Sequence, residues 1–196
     1  MQTGLLPDAE LLQGLINGSE AAYEALVDAF QEKVLNTCLG FLPNVQDAED
    51  ATQDVFLEVF RSVSKFNGES RLSTWIYRIA VSKCLETLRN RKRHKRMAFF
   101  QALIGLDDAR AAAVPDALFH PGIQLENRER ARILYGAMDR LPDTQRAAFV
   151  LHKVEGLSHR EIGEALGLNI PAVEALIFRA KQNLRKRLTN YYQHDD

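Results

Sequence analysis

Apolar residues in this 196-residue chain recur at intervals of three and four, and no run alternates at two for the length of a strand. Breakers are sparse, with 11 glycines and six prolines, so each one is informative about where a helix stops. The pattern predicts an all-α protein. A first helix covers residues 8–16 and ends at Asn17-Gly18; Ser19 then caps a longer helix that runs to Leu42, with Pro43-Asn44 as its stop. A third helix spans 45–63, a loop containing Asn67-Gly68 spans 65–71, and a long helix beginning at Ser70 or Ser73 ends in the basic run 89–96. Between 97 and 124 the period fails, interrupted by Ala111-Ala112-Ala113, Pro115, Pro121 and Gly122, and a linker with one short helix around 99–106 is expected there. A second helical block follows. The expected architecture is two small helical domains, residues 1–96 and 125–196, joined by the linker 97–124.

The formal charge of −1 conceals a strong segregation. Residues 1–60 carry 11 acids and one base, whereas residues 61–100 carry 11 bases and two acids. Such polarity suits a basic surface for nucleic acid beside an acidic surface for a basic partner. No stretch approaches the roughly 18 apolar residues of a membrane span, and the N-terminus has no signal-peptide layout. Cys38 and Cys84 have no metal-ligand spacing and sit at expected buried helix positions, which fits a reducing cytoplasm. No metal-ligand cluster, glycine-rich phosphate loop or nucleophile–base pair is visible, so neither an enzyme nor a cofactor or metal site is expected.

In the C-terminal block, a helix opening at Leu141-Pro142 turns Phe149, Val150 and Val154 inward. Ser158 and Glu161 then have capping-box spacing, and Gly167 can supply a left-handed turn. Pro171 suits the first turn of another helix, along which Val173, Ile177, Ala180, Leu184 and Leu188 repeat at four and three. This is the pattern of a helix-turn-helix with Ile162, Leu166, Leu168 and Val173 as its small core. The residues placed to face a major groove are Ala172, Glu174, Ala175, Phe178 and Arg179, with Arg160, Lys181, Arg185 and Lys186 near phosphates.

Two features mark the N-terminal block. On the helix 45–63, Ala51, Val55, Val59 and Val63 form a core stripe, and Asp50, Gln53, Asp54 and Leu57 form an opposite one. A leucine framed by aspartates suits either a docking face for a basic-rimmed helix or a solvated acidic face. On the next helix Leu72, Ile76, Ile79, Ala80, Cys84 and Leu88 share one side, while Arg71, Trp75, Arg78, Ser82 and Arg89 share another. An aromatic on a cationic surface suits stacking of single-stranded bases; a large aromatic at the margin of a wide core is the other reading.

Taken in order, three segments resemble the sigma-70 family of bacterial transcription initiation factors, most closely its compact extracytoplasmic-function (ECF) group. They are Asp47-Ala48-Glu49-Asp50-Ala51-Thr52-Gln53-Asp54-Val55-Phe56, the stretch from Phe66-Asn67-Gly68 through Thr74-Trp75-Ile76-Tyr77-Arg78-Ile79-Ala80, and the segments Leu141-Pro142 to Gln145-Arg146, Glu155-Gly156-Leu157-Ser158 and Arg179-Ala180-Lys181. The resemblance implies docking on core RNA polymerase through Asp50, Gln53, Asp54, Phe56 and Leu57. It implies capture of the melted non-template strand of a minus-10 element by Lys65, Phe66, Asn67, Arg71, Trp75, Arg78, Ser82, Lys83, Arg89 and Arg91, with a flipped base held by the loop 65–71. It also implies reading of duplex minus-35 DNA by Arg160, Pro171, Ala172, Glu174, Ala175, Phe178, Arg179 and Lys181. An anti-sigma factor that masks both domains is a common partner in the family, and action in the bacterial cytoplasm, on the nucleoid, is the corresponding location.

The chain departs from many relatives at Ser82, where asparagine is common, and at Glu174-Ala175, where basic residues are common. A hydroxyl cannot make the bidentate bonds of an amide, and Glu174 repels phosphate while able to accept from a cytosine amino group. The linker residues Phe99-Phe100 and Leu103-Ile104 are also more apolar than a free tether. The competing function is a stand-alone helix-turn-helix repressor or activator, which would leave the stripe at 50–57 and the tryptophan-bearing helix without a role.

Overall fold

The computed structural model describes residues 8–42, 44–103 and 125–192. Those residues form eight α-helices and a single 3-10 turn at Val63–Lys65, with no strand among them. The N-terminal bundle contains α1 (Asp8–Ile16), α2 (Glu20–Phe41), α3 (Val45–Ser62) and the start of α4 (Leu72–Leu103). The C-terminal bundle contains α5 (Leu125–Met138), α6 (Asp143–Lys153), α7 (His159–Leu166) and α8 (Ile170–Tyr192).

The local start and stop signals act as their chemistry requires. Ser19 accepts from the Ala22 amide at the start of α2, and Asn44 accepts from the Asp47 amide at the start of α3. Each such cap satisfies one of the orphan amides of a first turn, an effect of about 1 kcal/mol. Gly18 ends the first turn region with φ 72°, a conformation that a side chain disfavours. The clearest departure from the sequence expectation is α4. It runs unbroken through the basic run to Leu103, so the short helix expected around 99–106 is in part a continuation of the long one. Nothing between 89 and 103 is a proline or glycine, so no breaker interrupts the helix there. The side chains of Phe99, Phe100 and Leu103, with Ile104 and the rest of the linker to 124, lie outside the described residues.

The core of the N-terminal bundle is built from one face each of α2, α3 and α4: Leu26, Val34, Cys38 and Phe41 meet Val55, Val59, Ile76, Ala80 and Cys84. Cys38 and Cys84 are buried and reduced. The Cys84 thiol is pushed up by its hydrogen bond to Cys38 and by burial, so it stays protonated. In the C-terminal bundle Val150, Leu151, Ile162, Val173, Ile177 and Ala180 close the helix-turn-helix against α6. Two expected core members are not in it. Val154 and Leu168 are exposed, and Leu168 serves the turn through its backbone instead, donating its amide to the Gly163 carbonyl at 2.9 Å.

The two bundles pack against each other, α6 on α2 and α7 on α4. Arg146 of α6 is the keystone of this contact and only 2% exposed. Its Nε donates to the Gly40 carbonyl at 3.2 Å, its Nη2 to the Phe41 carbonyl at 2.7 Å, and its Nη1 pairs with Asp139 at 2.6 Å. Gly40 and Phe41 lie in the last turn of α2, where carbonyls have no helical partner, so Arg146 caps the end of a helix in the other bundle.

Candidate nucleic-acid interface

The loop before α4 is shaped by its own polar residues. Asn67 accepts from the Glu69 amide through its side chain, and Gly68 follows with φ 75°. The Phe66 amide donates to the Val63 carbonyl, which folds the loop back over the first turn of α4. There Phe66 and Trp75 face each other with ring centroids 5.2 Å apart and planes tilted by 47°. Both are half-buried. Trp75 therefore packs partly against the protein and stays partly open at the margin of the core.

A cavity of about 350 Å³ opens beside this pair, lined by Lys65, Phe66, Asn67, Trp75 and Arg78, with Glu69, Ser70 and Glu164 completing its wall. Five residues predicted to hold a melted strand thus converge on one concave site, although they come from a loop and two turns of α4. Ser82 and Arg89 are exposed further along α4. At 3.6 residues per turn they lie within about 40° of Trp75 round the helix axis. Lys83 and Arg91 do not join that face. They lie about 80° and about 160° round α4 from Trp75, and acids of α3 hold them: Lys83 pairs with Glu58 at 3.0 Å and Arg91 with Asp47. The Lys83 hydrogen bond also holds the Glu58 carboxyl below its ordinary range. Lys83 and Arg91 thus lie toward α3, because positive charge in a helical run distributes round the axis and α3 presents acids to the part that faces it.

On α3, Asp50, Gln53, Asp54 and Leu57 are exposed as one stripe, with Leu57 48% exposed. Phe56 is not part of it. It is 6% exposed and packs inward with Val55 and Val59, so it supports the helix and cannot be a direct docking contact. The aromatic that does extend the stripe is Phe60, 57% exposed and edge-on to Tyr23 of α2 at 5.5 Å. Its position three residues after Leu57 was the available signal.

In the C-terminal bundle the capping box predicted from Ser158 and Glu161 is complete. Ser158 Oγ accepts from the Glu161 amide, and the Glu161 carboxylate accepts from the Ser158 amide at 3.0 Å. The Ser158 hydroxyl, which donates to the same carboxylate at 2.7 Å, and after it the Ser158 amide hold the Glu161 carboxyl below its ordinary range. Gly167 adopts φ 69° after α7. At Gly163 a Cβ would stand 2.6 Å from the Leu168 carbonyl oxygen, which explains why the turn needs glycine there. Asn169, unnoticed in the sequence, caps α8 by accepting from the Ala172 amide at 2.9 Å. Early on α8, Pro171, Glu174, Phe178, Arg179 and Lys181 are exposed, while Ala172 and Ala175 are half-buried. His159 Nδ1 lies 3.4 Å from Glu174. Arg160 is exposed and pairs with Glu164 at 3.1 Å.

Among the described residues no group of histidine, cysteine and carboxylate side chains could hold a metal ion, and no helix is long and apolar enough to cross a membrane.

Two helical bundles, one carrying an aromatic cavity on a basic helix and the other a helix-turn-helix, define a bipartite DNA-binding architecture. The chain belongs to the sigma-70 family of RNA polymerase sigma factors, in its extracytoplasmic-function group. Residues 26–94 match Sigma-70 region 2 and residues 131–184 match Sigma-70 region 4. The chain is 30% identical to the ECF RNA polymerase sigma factor SigW of Bacillus subtilis, over 87% of this chain and 91% of that relative. It is 29% identical to the RNA polymerase sigma-H factor of Pseudomonas aeruginosa, over 92% and 93% of the two chains. Its fold is similar to that of CnrH, solved in complex with the cytosolic domain of CnrY, with a TM-score of 0.67, 21% identity and coverage of 93% and 97%. It is also similar to the sigma factor RpoE from Bartonella quintana, solved with the anti-sigma factor NepR, with a TM-score of 0.64, 18% identity and coverage of 85% and 96%.

Proposed function

We propose that the chain joins bacterial core RNA polymerase to a promoter and takes hold of the strand that melting releases. The α3 stripe of Asp50, Gln53, Asp54 and Leu57, extended by Phe60, docks on polymerase. Its ring of acids round an apolar centre suits a helix with basic flanks. The loop 65–71 and Trp75 hold an unstacked base of the non-template strand, with Arg71, Arg78 and Arg89 supplying salt-sensitive contacts to its phosphates. The exposed start of α8 enters the major groove of the upstream element. The factor works by binding and catalyses no reaction, and it acts in the cytoplasm on the nucleoid. An anti-sigma factor is a fitting regulator, since the RpoE neighbour was solved with the anti-sigma factor NepR and CnrH with the cytosolic domain of CnrY.

The observation that carries this reading is the cavity beside Trp75 and Phe66, with cationic side chains at its rim. A stand-alone repressor would need only the helix-turn-helix. The test is co-purification of the tagged chain with bacterial core polymerase. Wild type is expected to bind, and Asp50→Arg with Asp54→Arg is expected to lose binding with its helicity intact. Retained binding by the charge-reversed chain would remove the docking assignment.

A further inference from the structure

We infer that Glu174 gives the upstream reading its base specificity, by accepting from the exocyclic amino group of a cytosine, and that His159 of α7 is the residue that positions it. This rests on the placing of α8 in the major groove proposed above. Val173, Ile177, Ala180 and Leu184 are buried, so α8 turns one side into the bundle and leaves the other open. On the open side Arg179, Lys181, Arg185 and Lys186 are exposed, and each can meet phosphate. Glu174 is the only acid in the sequence of α8, and its side chain is 57% exposed. It stands one turn before Phe178, near the end of the helix that enters a groove first.

The carboxylate is held from the neighbouring helices. His159 Nδ1 stands 3.4 Å from Glu174 Oε1. His159 is the first residue of α7, directly after the Ser158 cap, and its ring lies 5.4 Å from that of His152 with the planes tilted by 51°. His152 Nδ1 lies 3.3 Å from the Leu157 carbonyl, which can only accept, so that nitrogen carries a proton. The end of α6, the loop after it and the first turn of α7 thus aim one acid beside the recognition helix. A carboxylate has about four lone-pair sites, so the contact with His159 leaves capacity for a second donor. In the major groove the donors are the amino groups of adenine and cytosine. Adenine sets its N7 acceptor beside the amino group, an arrangement that suits an amide and repels a carboxylate. Guanine and thymine present acceptors, which leaves cytosine as the base that fits. The same negative charge opposes phosphates, so Glu174 lowers affinity for every duplex, and the loss is offset where a cytosine comes within reach.

The test uses the full chain assembled with core polymerase and a pool of random duplexes of promoter length, with the bound DNA sequenced. Wild type is expected to enrich an upstream element with a cytosine position preferred about tenfold over the other bases, the size of an ordinary single-base discrimination. Glu174→Gln removes the charge from an exposed side chain and keeps its shape. It is expected to lose the cytosine preference at that position alone, with adenine gaining, because an amide pairs with adenine N6 and N7. It is also expected to bind non-specific duplex at least as tightly as wild type, a separation of selectivity from affinity that damage to the fold would not produce. His159→Ala should lose part of the same preference and leave the other positions unchanged. His159→Asn, whose amide can donate from the place of Nδ1, should keep it. An upstream element with no cytosine position that responds to Glu174→Gln overturns the inference and leaves Glu174 a surface partner of His159. Equal preferences in wild type and His159→Ala overturn the positioning role. Failure of the groove reading itself looks different: wild type bound to polymerase then enriches no upstream element at all, and the inference falls with it.

Discussion

Arg146→Ala removes the buried guanidinium that joins the bundles. The side chain makes three hydrogen bonds, but they do not count equally. Asp139 is half exposed and regains water when its partner leaves. The Gly40 and Phe41 carbonyls are enclosed, and each loses a charged donor, worth about 1.5–2 kcal/mol apiece at the lower end for such bonds. Stacking of the guanidinium on the Phe41 ring, at 5.7 Å, is lost as well. The bundles can answer by separating, which returns both carbonyls to solvent, so the loss is capped by the free energy of their contact. The expected cost is about 3 kcal/mol of coupling, or more than a hundredfold in the closed-to-open ratio. The assay is urea denaturation followed both by fluorescence of Trp75, the single tryptophan, which reports the N-terminal bundle, and by far-ultraviolet circular dichroism, which reports both. Coincident transitions in the wild type should split in the variant, the C-terminal bundle melting first. Arg146→Lys should recover less than half of the loss, because one ammonium cannot span two carbonyls as a planar fork does. Unchanged and coincident transitions in Arg146→Ala would refute the keystone role.

Three further outcomes follow from the geometry. Trp75→Ala in the polymerase-bound chain should leave core binding unchanged and weaken strand capture by about 1–3 kcal/mol; loss of core binding instead would make Trp75 a folding residue. Gly163→Ala should lower thermal stability by about 1–3 kcal/mol, because its Cβ meets the Leu168 carbonyl at 2.6 Å, whereas helix propensity alone predicts a gain of about 1 kcal/mol. Circular dichroism melting settles the sign. Glu155 is raised above its ordinary value of 4.5, by burial first, and it faces Tyr77 from α4 and Lys33, Thr37 and Cys38 from α2. Burial, followed by the Glu155 charge, holds the Tyr77 phenol far above its ordinary range, so it remains a donor. A raised carboxyl makes the closed protein hold its proton more tightly than the open one, so ionisation above the raised value works against closure. Glu155→Gln should therefore be more stable than wild type at neutral pH, with the gap closing as pH falls through the raised value and gone below the ordinary carboxylate value. A gap independent of pH in paired denaturation curves would contradict the assignment.

Much of the site could be read along the chain because it is made by neighbours in sequence. The Ser158–Glu161 box, the left-handed Gly167 and the Asn67-Gly68 turn each depend on residues no more than a few positions apart. The face shared by Arg71, Trp75 and Arg78 follows equally from helical spacing. Spacing ranks positions round an axis, however, and does not say how wide the buried sector is. Phe56 fell inside it and Phe60 outside because α2 and α4 enclose one side of α3 and leave the other open. The resemblance grouped Lys83 and Arg91 with the strand-binding residues, and only the packing of α3 shows that Glu58 and Asp47 stand against them.

The sequence by itself determined the helices, their caps and the family, since these are written in contacts of three and four residues and in motifs of ten or so. Only the tertiary structure decided how the two bundles meet. Arg146 reaches Gly40 across 106 positions and Arg78 reaches Glu164 across 86. An arginine has no local preference for such a carbonyl. It finds one only when the C-terminal end of a helix formed elsewhere in the chain, with its unsatisfied oxygens, is brought within its reach.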